Sequence, residues 1–175
     1  MSDTTEKKHY NVWKVKETLL MPDPEEPCTR YHTYILVQNH PVQVENPESD
    51  PRLSSDGETY GWVHEVTGDI ASPQGMIYLH RPVTCAPQLS ETFHTVEFLG
   101  QVLAAGYPDN VDRICRAEPP PPCQKKFNAC TMRYEAINAG DGAGAGRYFK
   151  CTEWTEERVI PALYREGVLV KGGYS

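Results

Sequence analysis

Long hydrophobic runs are missing: no apolar segment among the 175 residues is long enough to cross a bilayer. Basic runs are missing too. With a formal charge of −7 and no cationic footprint for phosphate, the composition argues against a nucleic-acid binder. The polar start, Met1 to His9, lacks an apolar signal core, so the expected location is intracellular, in the cytoplasm. None of the six cysteines forms a close Cys-x-x-Cys pair, and Cys115, Cys123 and Cys130 are separated by seven and six intervening residues with no His among them. That spacing offers no zinc site, and in an intracellular chain the thiols are expected to stay reduced. The glycine run Gly140 to Gly146 lacks the Lys-Ser/Thr that follows a phosphate-binding loop. It reads as a mobile loop, or as backbone passing close to a site. No internal repeat is present.

What is there suits a single globular unit. Hydrophobic residues make up 39% and charged residues 23%, enough apolar surface for a core without disulfide staples. The reading is a polar N-terminal tail, residues 1–9, followed by one domain over residues 10–175. Tyr10 to Lys16 alternates apolar and polar residues as a half-buried strand does, and Tyr31 to Gln38 is the clearest strand, rich in aromatic and β-branched residues. A polar loop from Asn39 to about Glu58 is long enough to be a surface excursion or lid. Strands are predicted again over Thr59 to Thr67 and Met76 to Arg81, the second ended by Pro82. Ser90 caps a predicted helix running to about Ala105, with Phe93, Val96, Leu99, Val102 and Leu103 as its buried stripe. A shorter helix is expected over Val111 to Cys115. Pro119 to Pro122 reads as a rigid connector, with a proline-recognising partner as the other option. The fold class is α+β: an antiparallel sheet packed against helices.

The chemistry concentrates near the end of the chain. Cys151 sits where a helix should begin, Glu153, Glu156 and Glu157 fill its first turn, and Gly167 is a plausible stop. A thiol at a helix N-terminus ionises most easily and so becomes a nucleophile. A buried cysteine closing a core helix is the competing reading of the same residues. The three acidic residues steady the helix start but oppose a thiolate. Pro161 falls inside the helix and is expected to kink it.

A base decides between the two readings, and the predicted strands supply candidates. His32 opens the second strand and His64 lies on the next, so neighbouring strands can present both imidazoles on one face. In that arrangement Cys151 attacks a carbonyl carbon, His32 acts as base and then acid, and His64 orients His32. The Cys151 backbone N–H would be one oxyanion donor. Glu65 points away from the His64 face and ranks below His64 as the third member. Tyr34, Trp62 and Trp154 are candidate substrate-pocket walls, with core as the alternative, above all for Trp154. Ordinary half-buried strand histidines remain the alternative for His32 and His64.

The order His32-Thr-Tyr-Ile-Leu-Val, then Trp62-Val-His64-Glu-Val, then Cys151-Thr-Glu-Trp154 resembles the circularly permuted papain-like superfamily. That branch includes NlpC-like and lecithin-retinol-acyltransferase-like proteins. The segments His64-Glu-Val-Thr-Gly-Asp69, Gly75-Met76, Pro119 to Pro122 with Lys126-Phe127, and Cys151 to Thr155 are also similar to a group of small fungal proteins of largely unassigned function. The resemblance implies a papain-like fold and thiol-dependent hydrolysis or acyl transfer at an amide, peptide or ester bond, through a thioester on Cys151. The partner it implies is a small-molecule or peptide substrate, and the chemistry needs no cofactor or metal. A non-enzymatic interaction protein on the same scaffold, or a biosynthetic enzyme that joins or cyclises a small molecule through the same thioester, are the alternatives.

Overall fold

Alternating and β-branched segments account for most of the architecture. The structure, a computed structural model, describes residues 8–20, 29–39, 59–137 and 148–171. Strands β1 (His9–Thr18), β2 (Tyr31–Gln38), β3 (Gly61–Gly68), β4 (Met76–Val83) and β5 (Phe93–Leu103) form one sheet of order β4-β3-β2-β1-β5. Every neighbouring pair is antiparallel. Helix α1 (Asp109–Ala117) follows, then a hairpin of β6 (Lys125–Asn128) and β7 (Arg133–Ala136). The chain ends its ordered elements with α2 (Cys151–Glu153), a π-helical stretch (Trp154–Val159) and α3 (Ile160–Arg165). The coarse class is therefore α+β, an antiparallel sheet with a few helices. No helix among the described residues is long and apolar enough to cross a membrane.

The terminal helix and α1 cover one face of the sheet. Val12, Ile35, Val37 and Val66 meet Val111, Ile114, Trp154, Val159 and Leu163 there, all nearly or wholly inaccessible. A smaller cluster of Val15, Tyr34, Leu36 and Val63 lies on the opposite face. Burying each large aliphatic or aromatic side chain contributes about 1.5–3 kcal/mol, so the helix-covered face dominates stability.

Three sequence expectations are corrected. The stretch read as a helix over Ser90 to Ala105 is β5. Its ladder with β1 runs Trp13↔Phe98 and then Val12↔Gly100, a bulge that inserts Leu99. Val96 packs with the smaller cluster, while Leu99 and Val102 belong to the larger one. A strand that changes its buried face midway spaces its apolar residues as a helix would. Pro82 does not end β4, which runs on to Val83; β4 is an edge strand, where a missing N–H costs no ladder bond. Pro161 is absorbed rather than disruptive. The Ile160 N–H reaches back to the Thr155 carbonyl, and this wider π turn precedes the proline while the helix continues to Arg165.

The helix stops where glycine allows it. Gly167 takes φ +68°, and the backbone N–H groups of Gly167 and Val168 bond the carbonyls of Tyr164 and Leu163. Residues 119–122 form a packed connector: the Met76 N–H bonds the Pro121 carbonyl at 2.8 Å, and Gly75 gives that carbonyl room no side chain would. The expected tail lies mostly outside the described residues, although His9 already belongs to β1. The lid candidate at residues 39–58 (except Asn39) and the glycine run lie outside them as well.

Candidate functional site

The site begins where two strands part. β2 and β3 pair from Gln38↔Gly61 to Ile35↔His64 and no further, so Tyr31 to Tyr34 have no ladder partner on β3. Their orphaned backbone groups must still be satisfied. The start of the terminal helix does this, contacting both strands. Thr152 Oγ1 donates to the Tyr31 carbonyl at 3.2 Å, and Thr155 Oγ1 to the Thr33 carbonyl at 3.2 Å. Thr33 Oγ1 and Thr152 Oγ1 are 2.8 Å apart. Cys151 Sγ lies 3.6 Å from the Tyr31 carbonyl, and the backbone N–H groups of Thr33 and Thr152 are directed at the sulfur. The helix start thus replaces a strand, and its cysteine sits in the gap.

The same helix start is clamped by charge. Arg30 holds both carboxylate oxygens of Glu153 at 2.9 and 3.0 Å, and Glu153 also accepts the Lys150 backbone N–H at 2.9 Å. Glu156 pairs with Lys14 and Lys16 at 3.2 and 2.8 Å. Two of the acidic residues that oppose a thiolate are therefore matched by cations.

His32 completes the cluster with a partner other than the expected one. Its Nε2 meets Glu65 Oε2 at 2.6 Å, and the ring also lies close enough to Cys151 for the two groups to shift each other's protonation. The other carboxylate oxygen, Oε1, accepts from Arg81 Nε at 2.6 Å. Burial opposes the imidazolium, but hydrogen bonds to Cys151 and Glu65 outweigh it and raise His32 to about 10. Burial likewise pushes the Cys151 thiol up, while His32 and the two backbone N–H groups bring it below its usual value. Glu65 is held down as well: the His32 and Arg81 hydrogen bonds overcome its burial. All three shifts favour the charged form: the proton on the imidazole, off the sulfur and off the carboxylate.

His64 does not stand beside His32. The register Ile35↔His64 and Leu36↔Val63 puts His32 on the face of Tyr34, Leu36, Val63 and Glu65, and His64 on the other. Gly61 permits this register, since a Cβ there would lie 2.5 Å from the Val37 carbonyl oxygen. His64 is fully buried between Tyr78 OH at 2.7 Å and Tyr107 OH at 3.0 Å, with His80 stacked 4.3 Å away. Tyr78 donates its proton to Asp112, so it accepts from His64 Nδ1–H, and Nε2 accepts from Tyr107. The ring is neutral. Burial, with His80 beside it, lowers His64 to about 3.

A cleft of roughly 680 Å³ opens on the pair, lined by His32 and Cys151, by the segment Thr67 to Pro73, and by Leu19, Met76, Lys125, Tyr134 and Lys150. The expected pocket walls lie elsewhere. Tyr34 is in the smaller core cluster with its hydroxyl on Glu17, Trp62 packs against Tyr10 and Tyr107, and Trp154 is wholly buried with Nε1 on the Glu118 carbonyl. Among the described residues no group of three or more His, Cys, Asp or Glu side chains is arranged to hold a metal ion. The five described cysteines all have free thiols.

A model described as a family of unknown function, DUF6540, matches residues 19–170, most of the chain and every residue of this cluster. The chain belongs to that family. No curated protein and no solved structure matches it. In this DUF6540 member Glu65 replaces the expected His64 as the His32 partner, because alternation alone cannot fix register. Thr152 and Thr155, three residues apart on one helix face, were also missed, although their spacing was a usable signal.

Proposed function

We propose that this protein is a thiol-dependent hydrolase or acyltransferase acting on an amide or peptide bond, with an ester as the second choice, in a permuted papain-like arrangement. One observation carries the reading: His32, held by Glu65 at 2.6 Å, lines an open cleft together with Cys151, and the two groups shift each other toward their charged forms. The Cys151 thiolate adds to the substrate carbonyl carbon, and the carbonyl oxygen takes the negative charge. The Cys151 backbone N–H, at the helix start, is an available donor for that oxyanion. As the tetrahedral species collapses, the bond to the leaving nitrogen breaks and His32 gives that nitrogen its proton. An acyl thioester and a neutral imidazole remain. His32 then takes a proton from water or an acceptor amine, whose attack releases the acyl group and restores the thiolate and imidazolium. Glu65 holds Nε2 throughout and stabilises the imidazolium. Water gives hydrolysis, an amine gives transfer, and the residues are the same.

The test joins reactivity to capture. Iodoacetamide alkylation, read residue by residue by mass spectrometry, is expected to show Cys151 reacting fast below pH 7 and slowing in His32→Ala. A panel of peptide amides and acyl esters is then offered, and a mass increase on Cys151 removable by hydroxylamine identifies the acyl donor. A Cys151 thiol that titrates near 8.5 in both proteins would sink the reading.

A further inference from the structure

Glu65 has two oxygens, and two cations divide them. His32 takes Oε2 and Arg81 takes Oε1, each at 2.6 Å. The carboxylate is 6% exposed, so water does little to screen it, whereas Arg81 is half exposed on the edge strand. The ladder pairs Val63 with Arg81 and Glu65 with Leu79, which sets Arg81 on the Glu65 face one diagonal away. We infer that Arg81 is a positioning residue for the thiol–imidazole pair: it pins the Glu65 carboxylate against His32 and limits how tightly that carboxylate holds the imidazolium proton. The inference rests on the thiol reading above and adds a control on how basic His32 is.

The two actions of Arg81 differ in sign. As an anchor it keeps Glu65 within reach of Nε2. As a positive charge it draws on the same carboxylate, leaving less of its field for the imidazolium. The other groups around the pair are differently placed. Glu17, on β1, is engaged by the Tyr34 hydroxyl, and the Tyr34 ring lies 5.6 Å from His32. Asp69, Lys125 and Lys150 line the cleft. Arg81 alone among the described residues is hydrogen-bonded to the oxygen of Glu65 that His32 leaves.

Alkylation by iodoacetate separates these actions. This anionic reagent favours a thiolate beside an imidazolium, so its rate forms a bell against pH. The acid limb follows formation of the pair and the alkaline limb follows loss of its proton. Arg81→Gln is expected to move the alkaline limb up by about half a pH unit or more, and Glu65→Gln to move it down by a similar amount. Arg81→Lys, which keeps the charge, is expected to hold the limb within about 0.3 of wild type. An alkaline limb that falls in Arg81→Gln would overturn the limiting action and leave only the anchor, and one that stays put would overturn the role of Arg81 altogether, in both cases with the pair still standing. A wild-type protein with no bell removes the pair, and the Arg81 inference with it. The His32 ring-proton resonance, titrated in Cys151→Ala with and without Arg81→Gln, checks the same sign without alkylation. An upward displacement is expected; none would overturn the inference.

Discussion

The sheet carries two clusters built from the same kinds of residue, and their electrostatics are opposite. At the parted ends of β2 and β3 stand a cysteine, a histidine, a carboxylate and an arginine: Cys151, His32, Glu65 and Arg81. Where α1 meets the sheet stand Cys115, Asp112 and Arg116 of the helix and His64 of β3, with Tyr78 and Tyr107 on His64. His32 is raised to about 10, yet His64 is lowered to about 3. Cys151 is brought below its usual value, while burial pushes Cys115 up to about 12. Burial acts in the same direction on both. The partners differ: Cys151 faces an imidazole and two backbone N–H groups, whereas Cys115 faces a phenol and the Asp112 charge. Composition does not set the pKa of a thiol; adjacency does.

The largest expected difference is in thiol reactivity. At pH 7, iodoacetamide should modify Cys151 at least about a thousandfold faster than Cys115, since the thiolate is the nucleophile. Mass spectrometry of the native protein reads both sites in one experiment. Comparable rates would dissolve the contrast.

Stability should divide the other way. His64→Ala empties a buried site and strips two phenols of a partner, so it should cost about 3 kcal/mol in urea unfolding. His32→Ala, at a partly open site, should leave less of a cavity and cost less than His64→Ala while suppressing Cys151 alkylation. A reversal of the two would overturn the contrast between the open and the buried histidine.

Acid sharpens the same comparison. The unfolded chain protonates His64 below about 6.5, its ordinary value, but the folded chain keeps it neutral until about 3. The unfolded state therefore binds the extra proton, and stability present above pH 6.5 is lost as pH falls toward 3. The slope from this group is at most about 1.4 kcal/mol per pH unit. His64→Gln should flatten the wild-type curve by that amount between pH 6 and 4, measured by urea titration at each pH.

The smallest effect concerns the helix that stands in for a strand. Thr155→Val removes the hydroxyl that satisfies the Thr33 carbonyl and should cost about 1 kcal/mol. Amide exchange should quicken at Tyr31 to Tyr34 and not at Ile35 to Gln38, where β3 is paired. Uniform exchange along β2 would contradict this account of the gap.

Much of the scaffold was legible because strand patterns are local. Tyr31 to Gln38 was read with its observed bounds, and the helix from Cys151 to its glycine stop followed from first-turn acids and Gly167. The β5 reading failed because a bulge at Leu99, set by pairing with β1, shifts the apolar spacing away from two. The candidate site was half legible. Cys151 and His32 were named from local position, but the third member was assigned by supposing that His32 and His64 share a face.

The sequence by itself determined the residue types, the strand alternation and the helix that opens on Cys151, because each depends on neighbours within a few positions. Only the tertiary structure decided which face of β3 meets His32. That choice turns on a one-residue register, which alternation leaves free and which the close approach of the Val37 carbonyl to Gly61 accommodates. It put Glu65 rather than His64 on the imidazole. The same long-range pairing ended β2–β3 at Ile35 and left a gap whose backbone groups the cysteine helix fills.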